Sequence, residues 1–339
     1  MTGGSVPVVE GVISPLHYAI SDSGTLTYIP GSVLSAQRTL VWVDRKGKEQ
    51  PLAAQPNDYH APHISPDGTK IALEISTSTY RSNIWIWDLV RETMTRLTFN
   101  EAHTPLWTLD GKRVAFVAGL DPSNSGVFWK AADGTGADEK ISSVPGRLDA
   151  PWSWSSDGKI LVTLEHSSAT GFDIGSLSME GDYKWKPLLQ EKYTELQPKI
   201  SPDGRWMAYA SDESGTYEIY VRPFPDVNRG RWQVSTSGGD TPLWSPNGRE
   251  LFYRNGDAVM AVAVEAGQTF KCGKPEALFR GKYTALNGED AHTWDISPDG
   301  KQFLMMKEQG SAASTGEGPR KINIVLNWTE ELKQRVPVK

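Results

Sequence analysis

A four-residue turn motif close to Ser-Pro-Asp-Gly recurs seven times along this chain of 339 residues. Its seven glycines follow one another at spacings of 43 to 52 residues, which is the period of a repeat protein. Proline presets φ at the second position of a β-turn, aspartate or asparagine tolerates the third, and glycine completes the turn without a side-chain clash. The motif therefore predicts seven equivalent strand-to-strand turns, at residues 21–24, 65–68, 108–111, 155–158, 201–204, 245–248 and 297–300.

Short segments of strand composition surround each turn. A strand such as residues 61–64 precedes the motif, and an alternating one such as residues 70–75 follows it. A third segment is rich in aromatic and β-branched residues, as in 84–89 and 218–221, and a fourth is short, as in 95–98. Four antiparallel strands per repeat predict an all-β fold, a β-propeller built of four-stranded blades.

Counting the repeats predicts a single propeller domain of seven blades over residues 1–339. The strand at residues 5–10 would pair with the last blade and close the ring, which removes the open sheet edges that invite aggregation. Residues 329–339 would form a C-terminal tail. A six-bladed ring with an accessory sheet is the alternative. The seven predicted blades lie near residues 11–54, 55–99, 100–144, 145–190, 191–236, 237–282 and 283–328.

Composition narrows the classes of partner. The net charge of −6 and the lack of a Lys/Arg cluster argue against nucleic acid. The sequence has no apolar run near the roughly 18 residues that a membrane span requires. Its first residues show no signal-peptide pattern, so we expect any export or membrane segment to lie outside this chain. The single cysteine, Cys272, excludes an internal disulfide framework, and we expect a monomer.

The turn motifs resemble those of TolB-type, WD-repeat-like propellers. A closer resemblance, to the C-terminal propeller of bacterial serine/threonine kinase-linked TolB-like proteins, is carried by residues 39–45, 84–89, 220–225, 231–235 and 325–328. It implies that a kinase and a membrane helix precede the propeller, which would lie outside the cytoplasm as a sensor or interaction domain. The chain itself has no Gly-rich phosphate loop and no His-Arg-Asp catalytic loop.

Histidines concentrate at one position of the repeat, where the first strand of each blade begins. His60, His103, Asp240 and His292 stand five residues before their turn motifs, and His17 stands one position later in its repeat. Imidazoles and a carboxylate at one channel mouth are ligands for Zn²⁺, Mn²⁺, Fe²⁺ or Ca²⁺. His60, His103, His292 and Asp240 are therefore candidate metal ligands. The alternative is that such histidines hydrogen-bond within their own blades, as in WD-repeat propellers.

Aromatic and acidic residues near the same mouth predict a ligand site suited to sugars or cationic peptides. Packing between blades is an equally good explanation for Trp294, and inter-blade packing is also what we predict for most other tryptophans. The candidate ligand-binding residues are His17, Tyr18, Tyr59, Asp149, Asp290 and Trp294.

Two functions follow as hypotheses. The first is a ligand- or protein-binding sensor propeller in a bacterial signalling protein, because no Gly-x-Ser-x-Gly elbow, His-Glu-x-x-His motif or dinucleotide fingerprint occurs. The second is a metal-dependent hydrolase or lyase with its site at the channel mouth. A docking platform for a protein partner, like TolB-type propellers themselves, is a third. The ligand would be a small molecule, a peptide or a protein.

Overall fold

The structure is a computed structural model that describes residues 18–21, 23–28, 37–78, 81–119, 125–142, 149–167, 170–284, 292–309, 323–328 and 330. It divides the chain into two compact units, Gln37–Gln309 and a second one made of Met1–Ala36 with Gly310–Lys339. The single propeller domain over residues 1–339 stays a prediction. No helix among the described residues is long and apolar enough to cross a membrane.

The described strands are, in chain order, β1 (Tyr18–Ile20), β2 (Leu26–Tyr28), β3 (Arg38–Asp44), β4 (Glu49–Pro51), β5 (Tyr59–Ile64), β6 (Lys70–Ser78), β7 (Arg81–Asp88), β8 (Thr93–Arg96), β9 (Ala102–Trp107), β10 (Arg113–Ala118), β11 (Gly126–Ala131), β12 (Glu139–Ser142), β13 (Asp149–Trp154), β14 (Ile160–Ser167), β15 (Gly171–Ser178), β16 (Trp185–Leu189), β17 (Glu195–Ile200), β18 (Trp206–Ser211), β19 (Glu218–Pro223), β20 (Trp232–Gln233), β21 (Asp240–Trp244), β22 (Glu250–Asn255), β23 (Ala258–Ala266), β24 (Phe270–Cys272), β25 (Glu276–Arg280), β26 (Trp294–Ile296), β27 (Gln302–Glu308) and β28 (Asn323–Val325). A short 3-10 helix spans Val227–Arg229.

The Ser-Pro-Asp-Gly motifs are the predicted β-turns. In the motif at 65–68, the Gly68 amide donates to the Ser65 carbonyl at 2.8 Å, and the Ser65 hydroxyl donates to Asp67 Oδ1 at 2.6 Å. The amide of Lys70 then donates back to Ser65 Oγ at 2.9 Å. Gly68 has φ +72°, a conformation that residues with a Cβ rarely adopt. These local bonds explain why the same four residue types recur.

Five predicted blades match five antiparallel sheets. Residues 55–99 form β5 to β8, residues 100–144 form β9 to β12, residues 145–190 form β13 to β16, and residues 191–236 form β17 to β20. Residues 237–282 form β21 to β23, with both β24 and β25 pairing with β23. The all-β propeller fold predicted from the repeat is thereby confirmed.

The closing blade combines the two ends of the larger unit, in the order β26-β27-β3-β4. The prediction of seven blades placed β3 in a blade with β1 and β2, and placed β28 in the last blade. In the described residues β28 pairs with β2 in a three-stranded sheet, β1-β2-β28. Among the described strands, the larger unit holds six sheets, and β28 is not part of the closing one. Residues 5–10, the predicted closing strand, lie outside the described residues.

Strand length explains this pairing. β27 and β3 are each seven residues long and pair along their whole length, from Gln302 with Asp44 to Glu308 with Arg38. β27 carries four consecutive buried residues, 303–306, which need a partner strand of equal length on the sheet. The three-residue strand β28 would leave most of the β27 hydrogen-bonding groups unpaired, which is unfavourable in a buried sheet.

Tryptophans connect several neighbouring blades, as the sequence predicted for most of them. Trp107 Nε1 donates to the His63 carbonyl at 2.9 Å, and Trp154 Nε1 donates to the Trp107 carbonyl at the same distance. Trp244 Nε1 donates to the Lys199 carbonyl at 2.9 Å. Each of these bonds joins the first strands of neighbouring blades, so the indoles hold the inner strands around the channel axis.

Candidate functional site

The first strands of five blades carry a β-bulge before the turn motif. Register shifts mark this position in the pairings of β5, β9, β13, β17 and β21. Four of these strands hold a non-glycine residue at positive φ there, with values between +44° and +57°: Ala61, Thr104, Gln197 and Thr241. A bulge re-aims the side chains that follow it. The residues after these bulges include His63 and Lys199, which line the central cavity.

Side chains from opposite blades meet in the centre of the ring. His292 lies two residues before the start of β26, and its imidazole lies 4.0 Å from the Trp152 ring of β13, centroid to centroid. Contacts between first strands run from β26 to β5, from β5 to β9 and from β9 to β13, so β13 lies three sheets away from β26 and this contact crosses the channel. The His63 ring of β5 lies edge-on to His292 at 6.0 Å. Three blades thus contribute rings to one central cluster.

A lysine and an aspartate complete this cluster, which we call the channel cluster: His63, Trp152, Lys199, His292 and Asp295. Asp295 accepts the Ile64 amide at Oδ2 (2.7 Å) and the Ile296 amide at Oδ1 (2.9 Å), so it ties β26 to β5. Lys199 forms no ion pair with any described residue. Burial lowers the pKa of Lys199 to about 8, an effect that the charge of Asp295 partly opposes.

Both imidazoles are neutral at pH 7. Burial lowers the pKa of His63 to about 4, although the Asp295 charge acts in the opposite direction. Burial also lowers the pKa of His292 well below its usual value, and the nearby Lys199 charge adds to this. A neutral imidazole keeps one N–H donor and one acceptor nitrogen. The cluster therefore offers ring donors without adding positive charge.

Three polar atoms of the channel cluster are buried without a hydrogen-bond partner: His63 Nδ1, Trp152 Nε1 and His292 Nε2. Leaving such a group unpaired costs about 1–3 kcal/mol. Four of the five cluster residues, all except His292, line a cavity of about 400 Å³, which opens between the turn motifs at residues 65–68, 108–111, 201–204 and 297–300. The six lining residues that matter here are His63, Leu106, Trp152, Ser153, Lys199 and Asp295.

The predicted metal ligands have separate partners. His60 Nε2 lies 3.0 Å from Asp58 Oδ1 and 3.1 Å from Arg38 Nη1. His103 Nδ1 lies 2.9 Å from Glu74 Oε1. Asp240 accepts the Thr241 hydroxyl at 2.9 Å, and His292 belongs to the channel cluster. Within the described ranges no three His, Cys, Asp or Glu residues are placed to hold a metal ion, so the four predicted ligands are not brought together.

Of the six predicted ligand-binding residues, the structure describes the side chains of Tyr59 and Trp294. Tyr59 is buried, and its hydroxyl donates to the Gln55 carbonyl. Trp294 is buried against Phe303, with ring centroids 5.4 Å apart, and donates to the Thr241 carbonyl, so the packing alternative applies to it. The other four positions carry no described side chain: Tyr18 begins β1, Asp149 begins β13, and His17 and Asp290 lie outside the described residues.

His63, Trp152 and Lys199 were not predicted as site residues from the sequence. His63, Lys199 and Asp295 each stand two residues before the first residue of a turn motif, where other blades have Leu106, Ser153 and Leu243. An ionisable residue inside a strand that is otherwise buried was the available signal, because such a residue is rarely placed in a core without a partner. The predicted metal ligands were instead chosen at the other end of the same strands, five residues before the turn motifs.

The buried pair of Glu74 and His103 gives a test of the described geometry. Burial alone would lower the pKa of His103, but the hydrogen bond and charge of Glu74 outweigh burial and raise it. In Glu74→Gln we expect the His103 pKa to fall below that of the parent protein by at least about one pH unit, measured by NMR titration of the imidazole. Protonated His103 stabilises the folded state at low pH, and this contribution is lost as the pH rises through its folded pKa. Glu180→Gln, which changes an exposed carboxylate, should leave the His103 titration unchanged; an equal change in both variants would contradict the pairing.

Comparison with known families identifies the propeller. The family model described as "TolB beta propeller domain" matches residues 100–312, which is more than half of the chain. The chain belongs to the TolB β-propeller family. This agrees with the resemblance carried by the turn motifs, and family and fold together support a binding propeller.

Solved structures and a curated relative give the same architecture. A TolB candidate from Agrobacterium tumefaciens superposes with a TM-score of 0.63 at 19% identity, covering 80% of this TolB-family chain and 98% of that one. An oligogalacturonate lyase in complex with manganese superposes with a TM-score of 0.51 at 12% identity, covering 87% of this chain and 96% of that one. At such identities the likeness shows the fold alone.

The curated relative is the uncharacterized peptidase YuxL of Bacillus subtilis (strain 168), 25% identical over 207 residues. The match covers 47% of this chain and 31% of the relative, so the chain spans less than a third of that protein's length.

Proposed function

We propose that this TolB-family propeller is a binding domain whose ligand occupies the central channel, against the channel cluster. The observation that carries the proposal is a pair of buried, unpartnered polar atoms, His63 Nδ1 and Trp152 Nε1, on residues that line a cavity of about 400 Å³. Burying these atoms without a hydrogen-bond partner costs free energy in the ligand-free protein, and a ligand that hydrogen-bonds to them would offset that cost. A cavity of this size with a few convergent polar groups is typical of small-molecule and peptide sites.

The wider role follows the family. Membership of the TolB family, together with the motif resemblance to kinase-linked propellers, supports a sensor or interaction domain of a bacterial signalling protein. In this proposal the propeller acts as a monomer outside the cytoplasm, a kinase and a membrane helix precede it, and the ligand is a small molecule or a segment of a partner protein.

A metal-dependent hydrolase or lyase is the other function that the sequence leaves open. It gains no support from the described geometry of His60, His103 and Asp240, because each of these residues has its own hydrogen-bond partner. The lyase complexed with manganese and the curated peptidase are similar in fold or in part of the sequence only. Binding in the channel is therefore the function that we propose.

An NMR fragment screen tests this function. The indole N–H of Trp152, assigned by comparison with Trp152→Phe, reports on the cavity, and the fragment set includes neutral, cationic and anionic compounds. We expect hits that shift this resonance and that lose affinity in Ser156→Trp, because Ser156 is exposed at the cavity rim and a large ring there obstructs the opening. Ser214→Trp, at an exposed position away from the lining residues, is the matched control. Hits that act only elsewhere, or none at all, would contradict channel binding.

A further inference from the structure

Resting on the proposed function, we infer that the channel cluster recognises one carboxylate group of its ligand, with Lys199 as the charge partner. The ligand is then a monoanionic organic acid or a peptide with a free C-terminal carboxylate. This inference is based on the arrangement of Lys199, Trp152, His63 and His292. It does not depend on the predicted metal ligands or on the family fold.

The charge balance of the cavity supports an anion. Lys199 lies within a cluster contributed by four blades, and none of the described residues pairs with its ammonium group. The one carboxylate in the cluster, Asp295, already accepts two backbone amides. Lys199 is half-buried and burial lowers its pKa, so an incoming carboxylate within about 4 Å would stabilise the protonated amine.

The neighbouring donors fit a carboxylate. Trp152 Nε1 is a donor only, and it is buried without an acceptor. Neutral His63 and His292 each contribute one N–H, and each has one buried ring nitrogen without a partner. A carboxylate has two oxygens and about four acceptor sites, so it can accept from the ammonium and from the ring donors together.

A single negative charge fits better than a double one. The cluster has one cation, Lys199, because both imidazoles are neutral at pH 7. A phosphate dianion would bring a second charge for which the described residues of the cavity hold no further cation, and Asp295 repels a dianion more strongly than a monoanion. The Trp152 ring and Leu106 in the lining provide apolar surface for the rest of the molecule.

The charged groups that face Lys199 also set a pH dependence. Asp295, His63 and His292 are the titratable groups electrostatically coupled to it, and the pKa of Lys199 in the free protein is about 8. A bound carboxylate favours the protonated amine, so binding takes up a proton above pH 8. Carboxylate affinity should therefore fall as the pH rises through about 8.

Matched pairs of probes test the inference. Hexanoate is compared with hexanamide, and acetyl-Ala-Ala-Phe with its C-terminal amide, so that the two pairs distinguish a small acid from a peptide terminus; inorganic phosphate is a third probe. Binding is followed by the Trp152 indole resonance at pH 7. We expect at least one acid to bind about tenfold or more tightly than its amide, and phosphate to bind more weakly than that acid.

Two variants separate the explanations. In Lys199→Met the acid and amide of the binding pair should have affinities within about twofold of each other, whereas Lys184→Met, which removes an exposed charge, should preserve the difference. Trp152→Phe, which keeps an aromatic ring but loses the N–H, should weaken acid binding in calorimetry.

The outcomes distinguish this inference from the function on which it rests. Equal binding of acids and amides, preferred binding of phosphate, or neutral fragments that bind when no acid does, would overturn carboxylate recognition and leave channel binding intact. If no compound of either kind shifts Trp152 in the parent protein, both proposals are wrong.

Discussion

Phe303→Ala should lower the free energy of unfolding by about 3–5 kcal/mol, the largest effect that we expect from a single substitution. Phe303 lies on β27 in the closing blade and has no solvent exposure. Its ring packs against Phe252 at 5.1 Å and Phe279 at 5.6 Å, both from the neighbouring blade, and against Trp294 at 5.4 Å. Removing it leaves a cavity at the junction where the ring of blades closes.

Urea unfolding of Phe303→Ala, followed by tryptophan fluorescence, measures this loss. Phe99→Ala is the matched control, because 71% of the Phe99 side chain and backbone surface remains exposed, and we expect a change within about 0.5 kcal/mol. A small effect of Phe303→Ala would mean that β27 does not join the closing blade to its neighbour as described.

Lys199→Met should stabilise the protein by about 2 kcal/mol below pH 8. The difference between a pKa of about 8 in the folded protein and 10.5 for a free lysine is equivalent to about 3 kcal/mol, which partial contact with solvent reduces. The cause is the partial burial of the Lys199 side chain, which disfavours the charged amine, and methionine keeps most of the side-chain volume without the charge.

The pH dependence identifies the cause of that gain. Below pH 8 the lysine is charged in both folded and unfolded states, so the full burial penalty applies to the parent protein. Between pH 8 and 10.5 the folded protein loses this proton first, and the parent gains stability relative to the variant. The advantage of Lys199→Met should therefore diminish over that interval in urea unfolding measured at several pH values.

Lys184→Met serves as the control for the loss of one positive charge, since Lys184 is exposed and pairs only with the exposed Asp182 at 3.1 Å. A destabilised Lys199→Met, or a gain that does not depend on pH, would show that burial does not disfavour the charged form of Lys199. A stabilising change at a proposed binding residue is the expected trade between stability and function.

The turns and the tryptophan positions of this propeller could be predicted from its sequence, for two different physical reasons. The turn at 65–68 could be predicted because its hydrogen bonds join residues at most five apart, and the residue types themselves make those bonds. The tryptophan positions could be predicted because repeats place equivalent side chains at equivalent junctions. These two regularities were enough to predict the five blades between residues 55 and 282.

The channel cluster could not be predicted in this way. His63, Trp152 and His292 come from three different blades, and each appears in the sequence among neighbours that it does not contact in the cluster. The bulges at Ala61 and Gln197 change which side chains face the channel. The residue types at these positions do not predict a positive φ. The predicted rim residues His60 and His103 instead form buried or half-buried polar pairs.

What the sequence determined by itself was the repeating unit: the turn, the four strands and their apolar pattern, all of which depend on bonds and side-chain alternation within one repeat. Only the tertiary structure decided which strands close the ring and which side chains share the channel. Val41 pairs with Met305, more than 260 residues away, and a local pattern that suits several partner strands does not select among them. That selection depends on matching strand length and burial across the whole ring, and it also brought Lys199 beside two neutral histidines.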